Sequence, residues 1–266
     1  MLEAKAVSKT YQVSDPARRW GKKELAAVSE VSLRVEEGRT LGVVGESGCG
    51  KSTLARLLTL LLDPDSGDVL FEGRSARKFS RADSKQFRRY VQIVFQDPLS
   101  SLDPKMRVAE ILGEPFEIHR EIRTADRRTA AGELLERVGL PSDFLGRFPH
   151  ELSGGERQRI SIARAIALGP KVLVCDEAVS SLDVLVQAEI LNLLLKMQKE
   201  NGLSYLFISH DMRIVHHMSD RVAVMKEGRI VEEGDAREVF SAPKHPYTKK
   251  LLESTRLNDL ASQKGA

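Results

Sequence analysis

Nine residues, Gly45-Glu46-Ser47-Gly48-Cys49-Gly50-Lys51-Ser52-Thr53, constrain this chain more than any other stretch. They fit G-x-x-x-x-G-K-[ST], in which glycines let the backbone turn tightly and successive N–H groups point inward at a phosphate. The context suits that job. The apolar run Thr40–Val44 predicts a buried strand before the turn. Lys51 opens a helix predicted over 51–62, which stops before Asp63-Pro64. The positive N-terminal end of that helix strengthens the anion site. Lys51 can reach the β and γ phosphates, and the Ser52 hydroxyl can ligate Mg²⁺.

A phosphate cradle of this kind needs an acidic metal partner at the end of a neighbouring strand. Lys171-Val172-Leu173-Val174-Cys175-Asp176-Glu177 supplies one. Asp176 then meets the metal at the carboxyl edge of the sheet, where ligands of open α/β sheets bind. Glu177, one residue on, can polarise an attacking water as a general base.

The rest of the chain fits an α/β core. Alternating residues at 5–13 and 28–35 predict strands, with Glu36-Glu37-Gly38 as the turn into the next one. Residues 15–24, with Arg18, Arg19, Lys22 and Lys23, are expected to form a solvated basic loop. From about residue 75 to 150 charged helix formers dominate, including 127–138, and a helical insertion is expected to begin soon after a strand at 91–95. A helix over 154–168 closes at Gly169-Pro170. Strands return at 172–175 and 205–208, separated by a helix over 184–200, and a hairpin follows at 221–225 and 229–233 around Glu227-Gly228. Strands alternating with helices predict a parallel sheet.

Bulk properties narrow the setting. The chain has 266 residues, 41% of them hydrophobic, enough for one large domain with an insertion. A net charge of +3 is too small to argue for nucleic acid as a partner. No run approaches the ~18 apolar residues of a spanning helix. The first residues lack the apolar stretch of a secretion signal, so any membrane role is expected to be peripheral. Cys49 and Cys175 are the two cysteines and give neither a disulfide framework nor metal spacing, which suits a reducing cytoplasm.

Leu152-Ser153-Gly154-Gly155-Glu156-Arg157-Gln158 resembles the signature of ABC-type ATPases. Other marks of that family stand in order. Tyr11 matches the aromatic that stacks on adenine, and Gln96 the glutamine that senses Mg²⁺ and the γ-phosphate. Ser180-Ser181-Leu182-Asp183 resembles the loop that communicates across the dimer, and His210 the switch histidine. The resemblance runs from about residue 2 to 240. It implies the ABC ATPase fold: an α/β P-loop core with a mixed sheet, an N-terminal antiparallel β-subdomain, and a helical subdomain of about 97–165 inserted in a domain of 1–240, with a tail over 241–266. It also implies a site that binds ATP and Mg²⁺. Tyr11, the loop from Gly45 to Thr53, Gln96, Ser153, Gly154, Gly155, Glu156 and Asp183 hold nucleotide, while Ser52, Gln96 and Asp176 hold the metal. Glu177, His210 and Lys51 carry catalysis. Ser153 is a good N-cap, and the free amides beyond it make a second anion site. In the family that site completes the ATP site of a second subunit, head to tail.

Phe87-Arg88-Arg89, Ile93-Val94-Phe95-Gln96-Asp97-Pro98, Ser100-Ser101-Leu102-Asp103-Pro104, Gln187 and His245-Pro246-Tyr247-Thr248 resemble the motors of oligopeptide, dipeptide and nickel importers. The implied partners are two membrane permease subunits, a second and non-identical ATPase, and indirectly an external solute-binding protein. The implied location is peripheral, on the cytoplasmic face of the cell membrane, with the stretch after Gln96 facing the permease. Asp176-Glu177-Ala178-Val179 replaces the commoner Asp-Glu-Pro-Thr, as in nickel-type motors, and the tail lacks the cysteine cluster of several peptide motors. Nickel or a metal chelate therefore stands slightly ahead of peptides as expected cargo. Single-set motifs disfavour a ribosome- or DNA-acting relative, and only branch resemblance disfavours an exporter. Cys49 inside the loop suggests that alkylation blocks nucleotide binding. His216-His217 are adjacent on a helix and point different ways, which argues against a metal pair.

Overall fold

The computed structural model describes residues 1–14, 22–119 and 126–263. Arg18 and Arg19 of the basic segment lie outside the described residues. In chain order the elements are β1 (Leu2–Ser14), β2 (Lys22–Val35), β3 (Thr40–Val44), α1 (Lys51–Leu58), β4 (Ser66–Phe71), β5 (Arg74–Ser75), α2 (Arg81–Tyr90), β6 (Val91–Val94), α3 (Pro98–Ser101), α4 (Val108–Ile118), α5 (Arg127–Arg137), α6 (Gly154–Ile166), β7 (Val172–Asp176), α7 (Val184–Asn201), β8 (Ser204–Ser209), α8 (Met212–Met218), β9 (Arg221–Lys226), β10 (Arg229–Asp235), α9 (Ala236–Ser241) and α10 (Pro246–Gln263). They group into two units, residues 1–84 with 204–266, and residues 85–203.

The first unit holds an antiparallel sheet in the order β2-β1-β4-β5, and a second set of strands ordered β10-β9-β3-β8. β3 runs parallel to both β8 and β9, while β9 and β10 form an antiparallel hairpin. β3 and β8 are buried at every residue, as their apolar stretches at 41–44 and 205–208 require for strands covered on both faces. The hairpin turns at Glu227 (φ 47°) and Gly228 (φ 80°), the two left-handed residues that a tight two-residue turn demands. β1 and β2 are longer than expected. Lys22 and Lys23 pair with Ser14 and Val13, so these two lysines belong to the sheet and not to a solvated loop. Cross-strand pairing overrode the local charge.

Helix α1 ends four residues before the expected stop. Leu60 sits at φ 53°, its N–H donates to Leu57 O, and the Leu61 N–H reaches back to Arg56 O. That is a Schellman closure with leucine where glycine is usual, and apolar periodicity alone gave no sign of it. Leu54, Leu57 and Leu58 of α1 are wholly buried, so its apolar face anchors the glycine-rich turn at its N-terminus.

In the second unit β6 and β7 pair in parallel, Val94 opposite Cys175. Helix α6 lies at its centre, against α3, α4, α5, α7 and β6. Ile160, Ile162 and Ile166 on that helix are buried, each contributing about 1.5–3 kcal/mol of burial. Among the described residues no helix is long and apolar enough to cross a membrane. The segment expected as a tail is mostly the helix α10.

Candidate nucleotide site

The first unit presents the glycine-rich turn as the sequence predicts it. β3 delivers the chain to Gly45, and α1 starts immediately after Gly50, whose φ of 110° suits glycine far better than any other residue. A Cβ on Gly50 would lie 2.0 Å from Ala27 O, and one on Gly45 would lie 2.1 Å from Met225 O. The turn is thus gripped by β2 on one side and β9 on the other, and Gly228 N–H donates to Cys49 O at 2.9 Å. Lys51 is buried, its Nζ donating to Gly45 O at 2.7 Å and Glu46 O at 2.9 Å. The ammonium is therefore curled over the loop by the loop's own carbonyls.

Two further predicted residues lie in the same unit. Ser209 pairs in register with Val44, so His210, the next residue, follows β8 at the edge where Gly45 follows β3. It is exposed. Tyr11 pairs with Leu25, two residues before the Ala27 carbonyl that abuts Gly50, and its side chain is half-buried. Cys49 is buried, and burial outweighs the neighbouring Lys51 ammonium to hold its thiol above the ordinary range. A protonated thiol is a poor nucleophile, which counts against easy alkylation. His216 stands edge-on to Phe240 at 4.7 Å between ring centres, and no cluster of three or more metal-ligating side chains occurs among the described residues.

The second unit carries the acidic and signature residues. Asp176 ends β7 and is only 5% exposed. Cys175 beside it is pushed up to about 12 by burial and by the Asp176 charge. Glu177 follows at φ 51°, a left-handed backbone that costs a non-glycine residue about 1–2 kcal/mol. The turn after it supplies the restraint: Ser180 donates from both N–H and Oγ to Glu177 O, at 3.1 and 3.0 Å. Gln96 lies two residues past Val94 and is exposed, and the Ser181 hydroxyl donates to its carbonyl at 3.5 Å. Asp183 caps α7 by accepting from Val186 N–H at 3.0 Å.

Ser153 caps α6 as its position predicts. Its Oγ accepts from Glu156 N–H at 3.3 Å, and the Glu156 carboxylate accepts from Ser153 N–H at 2.6 Å. That second bond, foremost, holds the Glu156 carboxyl below the usual range. Arg157 enters the sequence reading only as a letter of the signature, yet its guanidinium donates to Leu152 O at 2.6 Å and braces the turn into the helix. Tyr247, quoted from the sequence only as a mark of the importer branch, also touches the loop: its hydroxyl accepts from Glu46 N–H at 3.1 Å. Nothing in the spacing of residues 46 and 247 signals that contact.

With this geometry in view, the likenesses to other proteins are specific. Residues 28–180 match the ABC transporter family, and residues 231–265 match the oligopeptide/dipeptide transporter C-terminal region. The dipeptide transport ATP-binding protein DppF of Haemophilus influenzae is 47% identical over 232 residues, 87% of this chain and 71% of that protein. The oligopeptide transport ATP-binding protein OppF of the same organism is 47% identical over 236 residues, 88% of this chain and 71% of that one. Among solved structures, the ATP-binding cassette MJ0796, captured as a dimer in a post-hydrolysis state with ADP and Pi, superposes with a TM-score of 0.77 at 29% identity, covering 89% of this chain and 99% of that one. The chain is an ATP-binding, ATP-hydrolysing member of the ABC transporter family, and it carries the C-terminal region of the oligopeptide/dipeptide branch.

Proposed function

We propose that this chain is one of the motors of a peptide importer, coupling ATP hydrolysis to uptake across the cytoplasmic membrane. The observation that carries the reading is the match of residues 231–265 to the oligopeptide/dipeptide C-terminal region on a chain with an ordered phosphate loop. Both relatives described above are named for peptide transport, and neither for nickel. That weighs against the nickel cargo favoured on sequence, which rested on Ala178-Val179 and on a tail without clustered cysteines.

In this reading Lys51 and the amides of Gly45 to Thr53 hold the phosphates, and Tyr11 stacks on the adenine. Glu177 takes a proton from the attacking water, and His210 fixes the geometry at the γ-phosphate. Ser52, Gln96 and Asp176 would hold Mg²⁺, which neutralises phosphate charge. Asp176 offers a buried carboxylate, the hard oxygen donor such an ion takes. Ser153, Gly154, Gly155, Glu156 and Asp183 face a second, non-identical ATPase and complete its nucleotide site. Positioned charge supplies most of the rate enhancement. We assign residues 1–240 to the nucleotide-binding domain, with 97–165 as its helical insertion and 241–266 as a C-terminal extension.

Two membrane subunits are the proposed seat for this peripheral chain, with a solute-binding protein acting from outside. A groove of about 290 Å³ in the second unit suits the contact. Phe95, Ile93, Pro115 and Ile118 give it apolar walls, and the Arg164–Glu114 ion pair at 2.7 Å gives it a charged side. The test is to trap Glu177→Gln with Mg·ATP, extract it gently from native membranes and identify its companions. Two membrane subunits and a second ATPase are expected. Ribosomes, DNA or no companion would refute the transport reading.

A further inference from the structure

The C-terminal segment does more than decorate the domain. Gly45 and Glu46 share one peptide unit, and in a trans peptide the C=O and N–H point in opposite directions. On one side Gly45 O accepts the Lys51 ammonium at 2.7 Å. On the other, Glu46 N–H donates to the Tyr247 hydroxyl at 3.1 Å. Tyr247 therefore pins the outer edge of the same plane whose inner edge holds the phosphate-binding lysine. Hydrogen bonds in series polarise one another, so the two ends of this chain are coupled.

The phenol is itself well held. Tyr247 is 7% exposed, and the Lys226 ammonium lies 5.2 Å from its ring centre. His245 Nδ1 accepts the Tyr247 N–H at 3.1 Å. The Glu232 carboxylate on β10 accepts from Lys244 N–H at 2.8 Å and His245 N–H at 3.0 Å. Burial holds the Tyr247 hydroxyl above the ordinary phenol range, so it stays neutral at physiological pH. The segment is thus latched to the β9–β10 hairpin, whose Met225 carbonyl already limits Gly45 and whose Gly228 donates to Cys49 O.

We propose that Tyr247 is a positioning residue for nucleotide binding, setting the Gly45–Glu46 peptide and through it the Lys51 ammonium. The inference rests on the phosphate-loop reading. Tyr247→Phe deletes the hydroxyl and keeps the ring beside Lys226. In the full chain it is expected to weaken ADP binding by about 5- to 20-fold, the loss of one hydrogen bond with a donor left partly unsatisfied. KM for ATP should rise by the same factor, kcat should stay within about two-fold, and exchange of the Glu46 amide should quicken. Glu232→Ala, which releases the latch, should shift ADP affinity in the same direction and keeps the test open should Tyr247→Phe not fold.

ADP affinity within two-fold of wild type in a folded Tyr247→Phe chain would overturn the proposal. So would a loss of thermal stability with kcat reduced and KM unchanged, the mark of a merely structural tyrosine. A wild-type chain that bound no ADP would instead bring down the phosphate-loop reading and this inference with it.

Discussion

Gly155, in the signature turn, offers a test with two opposing effects of known size. It is the second residue of α6, and a Cβ there would lie 2.5 Å from Val186 Cγ1 on α7. Alanine is the better helix former, by at most about 1 kcal/mol and by less in the first turn. Against that stands overpacking, which costs about 1–3 kcal/mol when a methyl is forced into a filled site. Valine holds one strongly preferred rotamer in a helix, so Val186 cannot simply turn aside. The clash wins. Gly155→Ala is expected to lose about 1–2 kcal/mol, a fall in Tm of about 2–8 °C for a chain of this size. Trimming the partner should cure it, because the remaining Val186 Cβ lies 3.7 Å from the added methyl, an ordinary contact. Val186→Ala alone should cost about 0.5–1 kcal/mol, since the side chain is half-buried. The double variant should then be no less stable than Val186→Ala. Thermal melts of the four proteins close the cycle, with an expected coupling of at least about 1 kcal/mol. Additivity within ~0.5 kcal/mol would refute the packing argument.

Other consequences follow from single residues. Glu227 occupies a left-handed turn position at φ 47° with its side chain 84% exposed, so Glu227→Asn should raise Tm by about 1–3 °C; a fall would show that the Lys226 ion pair matters more than the backbone. The Cys49 thiol is held above its ordinary value, so its alkylation by iodoacetamide at pH 7.5 should be several-fold slower than that of a free thiol and should quicken only in alkali. The linked sign is also fixed. A raised thiol keeps its proton in the folded chain longer than in the unfolded one, so Cys49 and Cys175 both cost stability as pH climbs above ~8.5. A Tm that rose between pH 8 and 10 in the wild type, relative to a variant with both cysteines replaced by serine, would contradict this.

The parts of the site that read clearly from sequence are those in which local chemistry and function coincide. The spacing of Gly45, Gly50, Lys51 and Ser52 encodes a turn and a helix start, and the structure builds both. Ser153 with Glu156 three residues later encodes a capping box, and both of its hydrogen bonds form. Where tertiary contacts decide, the sequence was silent. Lys22 and Lys23 look like loop residues until β1 is there to pair with them. The apolar run Leu60-Leu61-Leu62 looks like helix, yet Leu60 takes the left-handed closure and Leu61 is left exposed. β4 carries Ser66, Gly67 and Asp68, poor strand formers, and owes its place to pairing with β1. The Tyr247–Glu46 bond joins residues 201 positions apart, beyond any reading of local pattern.

We propose that this chain hydrolyses ATP with Glu177 acting on the water and Lys51 holding the phosphates. The direct test is single-turnover hydrolysis by Glu177→Gln beside the wild-type chain, with ATP binding measured on the same samples. The substitution keeps the size of the side chain and removes its basicity at a backbone already held at φ 51°. ATP binding should stay within about two-fold while hydrolysis falls by about 10²–10⁴-fold, the contribution of a general base. Turnover by Glu177→Gln within ten-fold of wild type would contradict the account.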